Sequence, residues 1–404
     1  MNKYNSVPNI RFKGFKDEWK NLKLGELSEI ARGASPRPIN NKKWFSKDSK
    51  IGWLRISDVT EQNGRIFYLK QKLSIQGQKK TRVIKTKHLL LSIAATVGSP
   101  VINYIPTGVH DGFLIFYNPK FDIEFMFQWL QKYRKNWSKF GQPGSQVNLN
   151  SEIVRNQKVY IPEEKEERDI ANLFLKIDRL LDLQQQKIGK LELLKKALLQ
   201  KLFPRHDAQI PEFRFNGYKK DWEKDLIGNV STSKSGGTPS IAEKEYYDGN
   251  IPFIRSSDIN KSRTELCIND NAVKHSSTFI VEKGSVLYAL YGATSGQVAL
   301  SKVKGAINQA VLAIFPKNYI EKNFLMYWFI YSKKKIVSKY IQGGQGNLSA
   351  KIIKNLIFCF PNKSEQQKIG NLLSKVDQLI ELENKKLQNL QQVKKSLLQN
   401  MFVD

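Results

Sequence analysis

The sequence predicts an α+β chain: two similar mixed α/β domains separated by two long antiparallel helices paired as a coiled coil, with a pseudo-two-fold internal repeat throughout. Three observations predict it. The stretch Glu166–Phe203 recurs without a gap as Glu365–Phe402, shifted by 199 positions. Upstream, PNIRFKGFKDEW (Pro8–Trp19) returns as PEFRFNGYKKDW (Pro211–Trp222). Both long segments also carry a heptad pattern of apolar residues. The expected divisions are a first domain over 1–162, a first helix over 163–204, a second domain over 205–361 and a second helix over 362–404. A duplicated chain presents two related surfaces, as a homodimer does, which suits a bipartite partner.

The first globular region reads as strands IGWLRI (51–56), RVI (82–84), HLLLSIAA (88–95), SPVINYI (99–105) and GFLIFYN (112–118), followed by a helical stretch over 121–140. The second parallels it with IPFIRS (251–256), GSVLYALYG (284–292), QVALSKV (297–303), AVLAIF (310–315) and a helix over 319–341. Landmarks line up between the halves. ARGASPRP matches SKSGGTPS, WLRISDV matches FIRSSDI, AATVGS matches GATSGQ, and GQPGSQVNL matches GGQGNLS. Shared glycines supply tight turns or close backbone approach, while the diverged loops between them are free to read different targets.

The first long helix follows Ile161-Pro162. Glu163, Glu164, Glu166, Glu167 and Asp169 suit its positive end, Lys195, Lys196 and Lys201 its negative end, and Pro204 stops it. About 38 residues at 1.5 Å each make a rod of roughly 57 Å. Its seam is Ile170, Leu173, Ile177, Leu180, Leu191, Leu194 and Leu198; the second copy offers Ile369, Leu372, Val376, Leu379, Leu390, Val393 and Leu397. Both seams turn polar at mid-length, at Gln184 and Lys187 and at Glu383 and Lys386. Pairing the helices antiparallel, with partner numbers summing to 570, matches Leu173 with Leu397, Ile177 with Val393, Leu180 with Leu390, Leu191 with Leu379, Leu194 with Val376 and Leu198 with Leu372. Gln184 then meets Lys386 and Lys187 meets Glu383, a polar layer that fixes register at some cost in stability.

Charge narrows the partner. The chain carries +29, of which the two long segments supply only +4, so the excess sits on the globular regions. A polyanion is favoured, and nucleic acid is the commonest one. The competing reading is a lysine-rich solubilising surface. No run approaches the roughly 18 apolar residues of a membrane span, and MNKYNSVPNIRFKGF has no apolar core of signal type. Cys267 and Cys359 lack metal-ligand spacing and read as small core residues, so a cytoplasmic location is expected.

The order WKNLKLGEL or WEKDLIGNV, GASP or GGTP, LRISDV or IRSSDI, a glycine- and amide-rich loop, Ile-Pro or Phe-Pro with acidic residues and then a long helix, occurring twice, resembles the specificity subunit of type I restriction-modification systems over Trp19–Phe402. The resemblance implies that each globular region is a target recognition domain reading half of a split DNA sequence. It implies a helical spacer that docks two methyltransferase subunits, with two restriction (motor-nuclease) subunits joining them. Adenine methylation and cleavage would then be the partners' work, and S-adenosylmethionine, ATP and Mg²⁺ would bind those partners. The first copy departs from the pattern, with Ser35 where the second has Thr238.

Catalytic motifs are missing from the sequence. A stand-alone adenine methyltransferase needs an FxGxG loop and an [ND]PP[YF] motif; the nearest match, Asn118-Pro119-Lys120-Phe121, reads as a turn. No GxxxxGK[ST] occurs, and Glu163-Glu164-Lys165 lacks the upstream Pro-Asp of a nuclease core. His88, His110, His206 and His275 are scattered. A stand-alone methyltransferase or nuclease with an unrecognised motif is therefore the alternative, and a purely structural coiled-coil scaffold a third reading.

For DNA contact, Arg or Lys can take guanine and Asn or Gln adenine in the major groove. Candidates in the first half are Arg32 and Arg37 beside the glycine loop, Lys79, Lys80 and Arg82, and the loop amides and hydroxyl Gln142, Ser145, Gln146 and Asn148. In the second half they are Lys234, Thr238, Lys274, Tyr291, Gln345 and Asn347. Phosphate contact or plain solvation competes with base reading at the lysines. Arg55 with Asp58 and Arg255 with Asp258 read equally as internal ion pairs, because divergent specificity does not require a duplicated pair.

Overall fold

A computed structural model describes residues 6–140, 149–205, 208–341 and 347–403. The chain forms two compact units, Met1–Gln185 with Lys386–Asp404, and Gln186–Lys385. Each unit therefore holds one globular region, part of the helix that follows it, and part of the other long helix.

In the first unit, strands 29–32, 113–117, 89–92, 100–103 and 65–66 lie side by side in that order, and a second sheet orders 52–54, 107–109 and 82–84. The period-2 rule explains why HLLLS is apolar without alternation: successive side chains enter two different cores. Leu89 and Leu91 join Phe125, Met126 and Leu130 of helix Ile123–Tyr133. Leu90 points the other way, to Leu54, Ile84 and Val109 under the small sheet.

The second unit repeats this plan. Strands 231–235, 311–316, 286–289 and 298–300 form one sheet, and 266–268, 251–254, 305–307 and 279–281 the other. Val286 and Tyr288 face helix Lys322–Tyr340, while Leu287 and Ala289 face Ile254 and Ile307. Both small sheets share one topology: strand 52–54 runs parallel to 107–109, and 82–84 antiparallel to it, as 251–254 and 279–281 do about 305–307. Strand 65–66 escapes the sequence reading because two residues are too few to show a period, and strand 107–109, Thr-Gly-Val, because it has no apolar run.

The long helices span Glu164–Leu202 and Lys363–Asn400. The upstream repeat docks on their first turns. Arg11 grips the fully buried Glu166 carboxylate with two bonds of 2.7 Å, and Trp19 Nε1 donates to it at 3.2 Å. Arg214 grips Glu365, equally buried, at 2.8 and 2.9 Å. One residue on, Glu167 accepts the Asp122 N–H at 2.6 Å and Gln366 accepts the Glu321 N–H at 2.9 Å; Asp122 and Glu321 are the N-caps of the two domain helices. Phe402, at the end of the second long helix, packs on Trp19, Phe125 and Phe174 in the first unit. Phe203 does the same with Trp222 and Phe324 in the second.

The helices pair antiparallel in each unit. In the second, Lys187 donates to Glu383 at 3.0 Å and Lys195 meets Asp377 at 2.6 Å. In the first, Lys394 meets Asp178 at 2.6 Å. Of the seam residues, Ile170, Ile177, Ile369 and Val376 are buried, while Leu173, Leu191, Leu198, Leu372, Leu390 and Leu397 are partly covered. Leu180, Leu194, Leu379 and Val393 remain about half exposed. Phe174 and Ile188 are buried beside the seam, so the apolar face is wider than a single a/d stripe.

Asp178 is the hub between helix and domain in the first unit. It accepts from Arg65 at 2.9 Å and Gln128 at 2.8 Å in addition to Lys394. Asp377, its counterpart, accepts from Tyr327 at 2.8 Å, and Tyr327 occupies the position that matches Gln128.

Two predictions follow from these joints. Asp178→Ala strands buried cations and should destabilise the protein by about 3–5 kcal/mol in urea unfolding; Asp377→Ala, at a more exposed pair, should cost about 1–2 kcal/mol. Equal losses would contradict the assignment of Asp178 as the more buried hub. The second concerns pH. Burial pushes the Glu167 carboxyl up to about 7, so its contribution is complete below the unfolded carboxyl range and is lost as pH rises through about 7. Glu167→Gln, which copies Gln366, should raise stability at pH 8 relative to pH 5, by at most about 3 kcal/mol. A thermal-shift difference that is the same at both pH values would refute it.

Candidate nucleic-acid interface

The glycine loop of the first unit leaves strand 29–32 and presses against the turn after strand 107–109. A Cβ on Gly33 would lie 2.2 Å from the His110 carbonyl oxygen, so only glycine fits there. The Gly33 N–H donates to Phe113 O at 2.8 Å and the Ala34 N–H to Val109 O at 3.0 Å. Ser35 Oγ donates to Asp111 Oδ1 at 2.8 Å, Arg37 Nη2 to Asp111 Oδ2 at 2.6 Å, and Arg32 Nε to the Asp111 carbonyl at 2.6 Å. Burial would raise the Asp111 carboxyl, but the Ser35 hydroxyl and the two arginines hold it below its ordinary value. Burial lowers His110, whose Nδ1 accepts the Gly112 N–H at 2.8 Å as a neutral ring must.

Neighbouring basic residues reach the same rim. Trp44 Nε1 donates to the Pro38 carbonyl at 2.9 Å, tying turn 42–44 to the loop. Helix Ile75–Lys79 packs on that turn through Gly77 and through Ser74 Oγ, which donates to Lys43 O. This places exposed Lys79 and Lys80 beside exposed Lys42 and Lys43. Exposed Arg82 pairs across its strand with Val109, two residues from Asp111.

The second unit builds the same seat from other side chains. A Cβ on Gly236 would fall 1.8 Å from Ile307 O, and one on Gly237 would fall 2.1 Å from Ser277 Oγ. Thr238 Oγ1 donates to Gln309 Oε1, where the first unit has Ser35 and Asp111. Lys234 Nζ sits 4.2 Å from the Phe279 ring centre, and the Tyr247 hydroxyl donates to Pro239 O at 2.8 Å. Helix Asp270–Lys274 ends beside Ser277, with His275 stacked on Tyr246. Arg32 and Arg37 have Ser235 and Ser240 as counterparts.

Other candidates lie elsewhere. Tyr291 is partly buried against the core under helix 322–340, and burial raises its hydroxyl. Asn347 is exposed and adjoins it, since the next residue, Leu348, donates its N–H to Leu290 O at 2.9 Å. Gln142, Ser145, Gln146, Asn148 and Gln345 lie outside the described residues. Arg55 is bonded to Asp58 at 3.0 Å and Arg255 to Asp258 at 3.1 Å, with both aspartates buried, so the duplicated Arg-x-x-Asp is an internal pair. Sequence comparison passed over Asp111 and Gln309, because it aligned the strands that follow them and the two residues differ. Their common place before a matched strand was the available signal.

Among the described residues no helix is long and apolar enough to cross a membrane, and no group of three His, Cys, Asp or Glu side chains could hold a metal ion. Cys267 and Cys359 are free, and burial pushes the Cys359 thiol up to about 11.

Comparison with known proteins agrees with this doubled plan. The type I restriction modification DNA specificity domain matches residues 16–193 and again 219–392. The type I restriction enzyme MjaIX specificity subunit of Methanocaldococcus jannaschii is 34% identical over 213 residues, 50% of this chain and 48% of the relative. The EcoR124I/EcoR124II specificity subunit of Escherichia coli is 28% identical over 169 residues, 39% of this chain and 41% of the relative. The chain thus matches less than half the length of these two relatives. Among solved structures, the S subunit of a type I restriction-modification system from M. genitalium superposes with a TM-score of 0.66 at 14% identity, covering 98% of this chain and 99% of that one. A chain from a structure of type I R-M complex assembly and conformational transition gives 0.57 at 18% identity, covering 94% and 96%. With the specificity domain matched twice across most of its length, and the fold shared from end to end, this chain belongs to the type I restriction-modification DNA specificity family.

Proposed function

We propose that this chain is the DNA-recognition subunit of a type I restriction-modification complex, and that each unit reads one half of a bipartite duplex target through its glycine-loop face. One observation carries the reading. The two faces share their backbone closure, Gly33 on His110 and Gly236 on Ile307, yet present different side chains around it. A scaffold kept constant under a changed surface suits two unlike half-sites. Arg32, Arg37, Lys79, Lys80 and Arg82 on one face, and Lys234, Lys274 and Gln309 on the other, supply charge for phosphates and donors for base edges.

Two methyltransferase subunits would dock on the long helices, where Leu180, Leu194, Leu379 and Val393 leave apolar surface half exposed. Two restriction subunits would join that assembly. S-adenosylmethionine, ATP and Mg²⁺ would bind those partners in the cytoplasm, and adenine methylation and cleavage would be theirs.

The test is to assemble the chain with its methyltransferase and map methylated adenines on genomic DNA. A split motif is expected, and replacing residues 1–162 by another such domain should change one half only. Binding should fall steeply with salt, with a slope near −0.9 per neutralised phosphate. Methylation by the purified chain alone with S-adenosylmethionine would establish the stand-alone enzyme instead.

A further inference from the structure

Asp111 is the convergence point of the first unit's face. Its carboxylate takes the Ser35 hydroxyl on one oxygen and the Arg37 guanidinium on the other, and its carbonyl takes Arg32 Nε. The carboxylate is mostly covered, at 23% exposure, whereas the Arg37 side chain is 73% exposed. An exposed arginine ordinarily samples many rotamers, and a surface ion pair by itself contributes little to stability. Here the arginine is held by one edge of its guanidinium on an acceptor that is itself fixed by a hydroxyl and a backbone turn. The rest of its planar fork stays available.

The second unit shows that the fold does not require this arrangement. Its seat has the same hydroxyl-to-acceptor bond, Thr238 to Gln309, with Ser235 and Ser240 in place of the arginines. The arginines are therefore a feature of one face and not of the scaffold.

We infer that Asp111 is a positioning residue that presents Arg37, with Arg32 beside it, to a guanine in the major groove of the half-site read by the first unit. The guanidinium would give two parallel N–H bonds to guanine O6 and N7, the contact that its planar fork fits best. This inference rests on the proposed DNA-recognition function and adds a base and a residue to it.

The experiment uses the intact complex with methyltransferase and a set of duplexes in which each base pair of the mapped motif is replaced in turn. The readout is the ratio of affinity for cognate over replaced duplex. Arg37→Ala should cut discrimination at one guanine of the first half-site about 10- to 100-fold. Arg37→Lys should keep the charge and fail to restore it. Asp111→Asn should reduce discrimination at the same base in the same direction, leaving the second half-site as an unchanged internal control. If Asp111→Asn does not fold, Ser35→Ala loosens the same carboxylate and should give a smaller loss at that base. The inference is overturned if these variants keep the wild-type ratio at every position. It is equally overturned if they weaken all duplexes alike with a salt slope smaller by about one, which marks a phosphate contact. A wild-type complex with no sequence preference at all would instead defeat the underlying function.

Discussion

The structure depends on two buried carboxylates, Glu166 and Glu365, at the first turns of the long helices. A carboxylate with no solvent contact is tolerable only if paired and hydrogen-bonded. Arg11 and Arg214 supply the pairing, each with two bonds to one carboxylate. This requirement explains why a segment more than 150 residues upstream is repeated together with the helix: the two repeats are the halves of one joint. The neighbouring residue, Glu167 or Gln366, caps the domain helix by accepting a backbone N–H, so the joint also sets where that helix begins. Three elements per unit are fixed by two adjacent side chains.

The next position along shows how the joint tolerates change. Gln128 and Tyr327 stand at matching places and both donate to the matching aspartate on the long helix. What is kept is a donor of the right reach, not a residue type. The surroundings then compensate. In the first unit Arg65 and Lys394 also bind Asp178, and in the second Lys195 balances Asp377. Chemistry is conserved here at the level of bonds, where sequence identity is no longer visible.

That distinction decides what could be read from the sequence. Gapless repeats exposed the joint because both of its halves retain their residues. The heptads exposed the antiparallel pairing because polar residues interrupt both seams at one depth, where Lys187 meets Glu383. The fully buried strand 89–92 was legible from its leucine run, and strand 65–66 was not, since two residues cannot show alternation. The breadth of the helical face was hidden too: Phe174 and Ile188 lie buried beside the seam residues, and Phe174 packs on Phe402. At the candidate site, glycine and proline marked both loops. Asp111 and Gln309 were invisible because their shared role rests on different side chains.

The divergence of the two faces follows from the way the loop is closed. Its shape is set by backbone bonds to Phe113, Val109, Ile307 and Val311, and by glycines that only fit because they lack a side chain. The side-chain bond from residue 35 or 238 needs a hydroxyl donor and an oxygen acceptor, so Ser with Asp and Thr with Gln serve alike. The residues immediately around that closure differ between the seats: arginines stand at 32 and 37, and serines at the matching 235 and 240. A surface built this way can change its ligand by point substitution while the joint beneath it stays the same, and that separation is what a recognition module used twice in one chain requires.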